Sequence, residues 1–217
     1  MINLDQVYVS FTKEYDALHN INLAISSGEK IAVCGDADSG KTTLLRVIAN
    51  LETVTSGGIT INNIPVEKIN FKQDVQLGYV PKVVVFKHKK TVFENLRYVL
   101  KIRGYDDASI NFKILSALKT FAIDSIKNVP IESLTPKQKM LVQLARVSMR
   151  RVDIFLIDNI TKNLSKEEQA DVLKALKTLM DLNPESTFVI AFDNEKMAKE
   201  LNLKIYKLKL GSLEKAH

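Results

Sequence analysis

Three runs in this chain are apolar at nearly every position: Lys30 to Cys34, Asp153 to Asp158 and Thr187 to Phe192. Short runs without alternation predict strands covered on both faces, as in a parallel sheet. Other segments alternate with period two. Leu4 to Phe11, Ile21 to Ile25 and Val75 to Val80 read as strands, and Lys204 to Leu210 reads as an edge strand. Ser26-Ser27-Gly28-Glu29 and Gly57-Gly58 are turn signals, and Asn62-Asn63 after Ile59-Thr60-Ile61 predicts a hairpin. Helical patterns cover 41–51, Thr91 to Ile102, Ala108 to Phe121, Lys137 to Met149, Glu167 to Leu182 and Glu195 to Glu200. The helices of about 91–150 interrupt the strand pattern, as an insertion between two halves of an α/β core. Strands alternating with helices predict an open, mostly parallel sheet.

The chemistry concentrates where the first buried strand hands over to a helix. Gly35-Asp36-Ala37-Asp38-Ser39-Gly40-Lys41-Thr42, followed by Thr43, has the spacing of a phosphate-binding loop. Phosphate needs many aligned donors. The backbone N–H groups of such a loop and the helix start behind it supply them. Lys41 adds a mobile positive charge, and the Thr42 hydroxyl suits Mg²⁺. Asp38 is discordant, because it puts a carboxylate where phosphate oxygens crowd. Its tolerance of unusual backbone angles lets the loop keep its shape. Asp158, closing an apolar strand, is a second candidate for the magnesium side.

Bulk properties narrow the setting. At 217 residues, 46% hydrophobic and 26% charged, the chain is expected to be soluble and globular, as one large domain or one domain with a subdomain. No apolar run is long enough to span a bilayer, and the first residues lack a secretory leader pattern. The single cysteine, Cys34, sits in a buried strand and reads as packing. The net charge is +6 and the pI about 9.2. The basic residues are dispersed apart from Lys87-His88-Lys89-Lys90 and Arg150-Arg151, and no aromatic and basic interleaving marks a stacking platform. No nucleic-acid partner is expected. A solvated basic face or attraction to a membrane-associated partner fits better.

Taken in order, these segments resemble the ATP-binding subunit of ABC transporters over essentially the full length. Besides the loop and Ile154 to Asp158, Leu77 to Pro81 resembles the lead-in to the helical subdomain, and Phe86 to Leu96 the stretch beyond it. Leu134 to Arg146 occupies the family's signature segment and helix. The resemblance implies one P-loop NTPase-type domain over 1–217. Its mostly parallel core (1–90 and 151–217) would carry an N-terminal antiparallel β subdomain, with the helical subdomain inserted at about 91–150. It implies ATP and Mg²⁺ as ligands, with Tyr15 stacking on adenine, Gly35 to Thr43 binding phosphates, and Thr42 and Asp158 on the metal. It implies a homo- or heterodimer of such subunits, in which Thr135, Pro136, Lys137 and Gln138 face the partner's nucleotide. A membrane-spanning subunit would hold the protein in the cytoplasm, at the inner face of the membrane.

Several residues depart from the family pattern. Lys82 replaces a glutamine that touches Mg²⁺ and water, and an ammonium does not ligate a cation. Asn159 replaces the glutamate that polarises water, and an amide is no general base at neutral pH. Phe192 replaces the switch histidine and has no donor for a γ-phosphate. Pro136 and Lys137 replace two glycines, though proline also suits the first turn of a helix. In the loop after Asn159, Lys162 to Ser165 lacks the family's terminal acid. The expected function is an ATP-binding transporter subunit with weak or absent intrinsic hydrolysis. Two alternatives stay open: a soluble nucleotide-sensing regulatory or scaffolding module, and an active ATPase with rewired catalytic groups.

Overall fold

The computed structural model describes residues 1–12, 15–71, 73–83 and 85–214, with the backbone but not the side chain of Tyr15. The chain divides into two compact units. The core unit comprises Met1–Tyr79, Val152–Asn159 and Pro184–His217, and the helical unit comprises Val80–Arg151 and Ile160–Asn183.

In the core unit, β1 (Ile2–Thr12), β2 (Tyr15–Ile25), β4 (Ser56–Ile61) and β5 (Ile64–Pro65) form a four-stranded sheet in the order β2-β1-β4-β5. In it β1 runs antiparallel to β2 and β4, and β4 antiparallel to β5. Ile2 and Leu4, then Val7 and Val9, turn inward along β1, a period of two that a register shift between Leu4 and Val7 resets so that one face stays covered. Asn62 and Asn63 both have positive φ, 51° and 64°. A two-residue hairpin whose twist matches its strands needs that geometry, and asparagine tolerates it best after glycine.

The second sheet has six strands in the order β10-β9-β3-β8-β7-β6. They are β3 (Lys30–Cys34), β6 (Leu77–Val80), β7 (Ile154–Asp158), β8 (Thr187–Phe192), β9 (Lys204–Lys209) and β10 (Ser212–Leu213). β3 runs parallel to β8 and β9, and β7 runs parallel to β8. Every residue of β7 and β8 is buried. Phe155 and Phe188 stack across this pair with ring centroids 4.4 Å apart, worth about 1 kcal/mol beyond burial. β9 is not the edge: the two-residue β10 pairs against it antiparallel. Helices α1 (Lys41–Ile48) and α6 (Glu195–Glu200) belong to the same unit.

The helical unit holds α2 (Val92–Ile102), α3 (Asp107–Thr120), α4 (Pro136–Ser148) and α5 (Lys166–Asp181). Thr91–Glu94, Thr135–Gln138 and Ser165–Glu168 form reciprocal capping boxes at the starts of α2, α4 and α5. Asp106 caps α3. Each cap satisfies helix-start donors and stabilises its helix by about 1 kcal/mol. No helix among the described residues is long and apolar enough to cross a membrane.

Candidate functional site

Parallel register brings the carboxyl ends of β3, β7 and β8 together, at Cys34, Asp158 and Phe192. Loops beyond such strand ends are where open α/β sheets bind ligands. The segment Gly35 to Gly40 leaves β3 here and ends at α1. The Gly35 N–H donates to the Phe192 carbonyl at 3.2 Å, which ties the loop to β8. Two glycines are dictated by backbone geometry. A Cβ on Gly35 would collide with the Leu208 carbonyl oxygen. Gly40 has φ of 102°, and a Cβ there would lie 2.5 Å from the Ala17 carbonyl oxygen. Asp38 takes a left-handed φ of 60° and is exposed, as are Asp36 and Ala37.

Lys41 is 6% exposed and folds back into the loop. Its Nζ donates to the carbonyls of Gly35 and Asp36, both at 2.6 Å, and to Ser39 Oγ at 3.3 Å. Asp193 Oδ1 lies 3.4 Å from the same ammonium. The Thr42 hydroxyl is 3.2 and 3.0 Å from the two carboxylate oxygens of Asp158, which is itself 1% exposed. Tyr79 stands nearby. Burial, and then the Asp158 charge, push its phenol up to about 12. Burial likewise raises the Cys34 thiol to about 11, with the Glu195 charge adding to it. A neutral thiol on a covered strand is a packing group.

A cavity of about 620 Å³ borders the loop, lined among others by Gly35, Asp36, Ala37, Asp193 and Lys207. Its lining omits Lys41, Thr42 and Asp158, so it is distinct from the Lys41–Thr42 end of the loop. Among the lining residues Glu195 accepts from Lys207 and Lys199, and these hold its carboxyl down at about 2.

The ABC transporter family model matches residues 18–162. The chain belongs to the ABC transporter family, as an ATP-binding cassette. The cell division ATP-binding protein FtsE of Mycobacterium tuberculosis is 28% identical, over 98% of this chain and 94% of that one. The sn-glycerol-3-phosphate import ATP-binding protein UgpC of Burkholderia ambifaria is 32% identical over 75% of this chain. The UgpC of Bordetella avium is 31% identical over 86% of it. The chain spans about half the length of these UgpC proteins, 45% and 51%. Among solved structures, the dimeric bacterial ABC transporter cassette MJ0796 superposes with a TM-score of 0.86. Identity is 25%, and the match covers 99% of this chain and 97% of that one. The same cassette in a post-hydrolysis state with ADP and Pi gives 0.84.

Within the cassette, the departing residues have definite surroundings. Asn159 follows β7 with a left-handed φ of 45°, a conformation asparagine accepts readily. Its side-chain amide donates to Asp193 Oδ1 at 2.6 Å. Phe192 is wholly buried at the end of β8, where its ring is core. Neither the Asn159–Asp193 bond nor the Asp158–Tyr79 proximity was read from the sequence, although Asp193 and Tyr79 both stand beside motif residues.

In the helical unit, Lys82 is exposed and forms no ion pair among the described residues. Its loop is anchored on α4: Gln143 Nε2 donates to the Pro81 carbonyl at 3.3 Å, and Arg146 to the Val85 carbonyl at 2.9 Å. Thr135 and Gln138 bond each other in the capping box, and Pro136 is the first residue of α4. Lys137 turns to α5 and pairs with Asp171 at 2.7 Å. That hydrogen bond raises the lysine above its ordinary pKa. The side chain of Tyr15 lies outside the described residues.

Proposed function

We propose that this cassette binds ATP with Mg²⁺ at the Gly35 to Thr43 loop and hydrolyses it weakly or not at all. Lys41 and the loop N–H groups would hold the phosphates, with Tyr15 against adenine. Thr42 and Asp158 offer hard oxygen donors side by side, which suits an ion that fills its remaining positions with water and phosphate. Among the described residues no group of three or more His, Cys, Asp or Glu could hold a metal alone. When bound, the ion would neutralise charge on the β- and γ-phosphates.

One observation carries the hydrolysis part. The Asn159 amide donates to Asp193, and an amide is no general base at neutral pH, so the position after β7 supplies no proton acceptor for water. General base catalysis alone is worth about 10²–10⁴ in rate. Phe192, buried, and Lys82, cationic, supply no substitute. The assembly is proposed to be a homo- or heterodimer, with Thr135 to Gln138 toward the partner's nucleotide and a membrane-spanning subunit as the further partner. The dimeric cassette neighbour supports this.

The test is a phosphate-release assay beside calorimetry with ATP and Mg²⁺. Binding heat with background turnover is expected. Turnover near an ordinary ~1 s⁻¹ or faster, abolished in Lys41→Ala, overturns the hydrolysis part. Absence of binding heat overturns the whole reading.

A second reading, an ATPase with a relocated catalytic group, is favoured by Asp193. Its carboxylate stands beside Asn159 and 3.4 Å from Lys41. In that case Asp193→Asn removes turnover. In the first reading the same change leaves turnover at background and tightens ATP about fivefold. That is the ~1 kcal/mol of a partly exposed ion pair no longer competing for Lys41.

A further inference from the structure

A cavity of about 380 Å³ lies inside the helical unit, between the turn that ends α3, the start of α4 and one face of α5. Small-molecule sites occupy about 300–1,000 Å³ and combine an apolar wall with a few placed polar groups. The wall follows from how α3 stops. The Ile123 N–H donates to the Leu118 carbonyl at 2.9 Å and the Ala122 N–H to the Lys119 carbonyl at 3.0 Å, with Ala122 at a left-handed φ of 53°. This closing turn reverses the chain. Phe121 and Ile123, on either side of Ala122, are buried in the cavity wall with Leu141 of α4.

The polar groups come mainly from α5, where Asp171, Lys174 and Thr178 have the spacing of one helix face. Asp171 pairs with Lys137 of α4 at 2.7 Å. Lys174 is exposed and forms no ion pair among the described residues. The lining therefore sets two ammonium groups against one carboxylate. Glu167 and Glu168 lie outside the lining, but their charges act on Lys137. A head group with one negative charge thus suits the cavity better than one with two.

We propose that this cavity binds a small organic acid, its single carboxylate held by Lys174 and Lys137 and its short apolar body against Phe121, Ile123 and Leu141. Lys137 reaches the ligand by exchanging partners, because a partly exposed pair such as Lys137–Asp171 is weak. An occupant therefore unfastens the first turn of α4 from α5. That turn belongs to the segment proposed to face a partner's nucleotide, so this consequence rests on that reading, whereas the binding does not.

The experiment titrates the nucleotide-free full chain, labelled at isoleucine and leucine methyl groups, with four probes that share one body. They are phenylpropanoate, phenylpropyl phosphate, phenylpropanol and phenylpropylamine. Without nucleotide present, failure here is separate from failure of the ATP reading. Saturable NMR shifts at Ile123 and Leu141 are expected with the acid, at a Kd of about 1 mM or tighter. The phosphate should bind no more tightly, the alcohol about fivefold more weakly and the amine more weakly still. Lys174→Gln should weaken the acid about fivefold. Lys166→Gln, at a lysine of α5 outside the lining, should leave it unchanged. Asp171→Asn releases Lys137 and should tighten the acid about threefold. All three substituted residues are exposed, and circular dichroism checks that each variant is folded. No saturable shift with the acid, shifts confined to the core unit, equal affinity for the alcohol, or equal effects of Lys174→Gln and Lys166→Gln overturn the proposal. A tighter phosphate overturns the single-charge head group, and an Asp171→Asn variant that binds no tighter overturns the role of Lys137.

Discussion

The loop after β3 and the residues that end β7 and β8 share one rim of one sheet, yet the sequence treats them differently. On the β3 side, Gly35 and Gly40 stand where a Cβ would meet a carbonyl oxygen, Lys41 bonds back into the loop, and Thr42 meets Asp158 from the end of β7. At Asn159 and Phe192 the backbone path persists, but the side chains carry no acid, base or imidazole. The difference follows from what each function is made of. Phosphate binding is largely backbone N–H groups and a helix start, so the loop cannot lose it without losing shape. Positioning water depends on single side chains, which the backbone path does not dictate. Here the exchanges even serve the fold, because Phe192 is core and Asn159 holds Asp193.

The most damaging way to break this contrast is at Gly40. Gly40→Ala adds a Cβ at a left-handed φ and against the Ala17 carbonyl. Backbone strain and overpacking together should cost about 3–5 kcal/mol. That corresponds to a melting temperature lower by roughly 10 °C or more, with nucleotide binding lost. A stable variant that still binds ATP would show that the loop is not fixed by its backbone.

On the other side of the rim, Phe192→His introduces the imidazole that the resemblance implies at this position and should help nothing by itself. A buried imidazole replaces a wholly buried phenyl ring, leaving ring nitrogens unsatisfied and some volume empty. A loss of about 2–3 kcal/mol in chemical denaturation is expected, with turnover still at background. A stable variant with measurable ATPase would mean that Phe192 alone blocks hydrolysis, and the contrast would collapse to one residue.

How far the sequence exposes these features depends on what kind of feature each is. The loop was legible because glycine, lysine and threonine spacing reports a backbone requirement directly. The double-sided burial of β7 and β8 was legible as unbroken apolar runs, and the β4–β5 hairpin as two adjacent asparagines. The edge position expected of Lys204 to Leu210 was wrong, because the two-residue β10 is too short to show a period. The Asn159–Asp193 bond joins residues 34 positions apart, and nothing in either residue's neighbourhood names the other. The path of Lys137 to Asp171 was hidden for the same reason. The threonine–glutamine spacing at Thr135 fits a capping box, whereas the resemblance points the same residues to a partner's nucleotide.

The finest probe of the contrast is Asp38, whose carboxylate is discordant in a phosphate-binding loop. It is exposed at φ of 60°, so its carboxylate acts on phosphate through partly screened space and occupies none of the loop's donors. Asp38→Gly removes the charge and suits the left-handed conformation. The loop shape is retained, while the unfolded chain gains freedom, so stability should shift by about 0.5 kcal/mol or less. ATP affinity should rise about two- to threefold at low salt and converge with the parent at high salt, where a repulsion over several ångströms is screened. Titration calorimetry at two ionic strengths measures both numbers. A gain that persists at high salt would place the carboxylate against the phosphates, and the binding side of the rim would then be degraded as well. A gain that fades with salt leaves the proposed division in place, between a cradle made of backbone and a rim that carries Asn159 and Phe192.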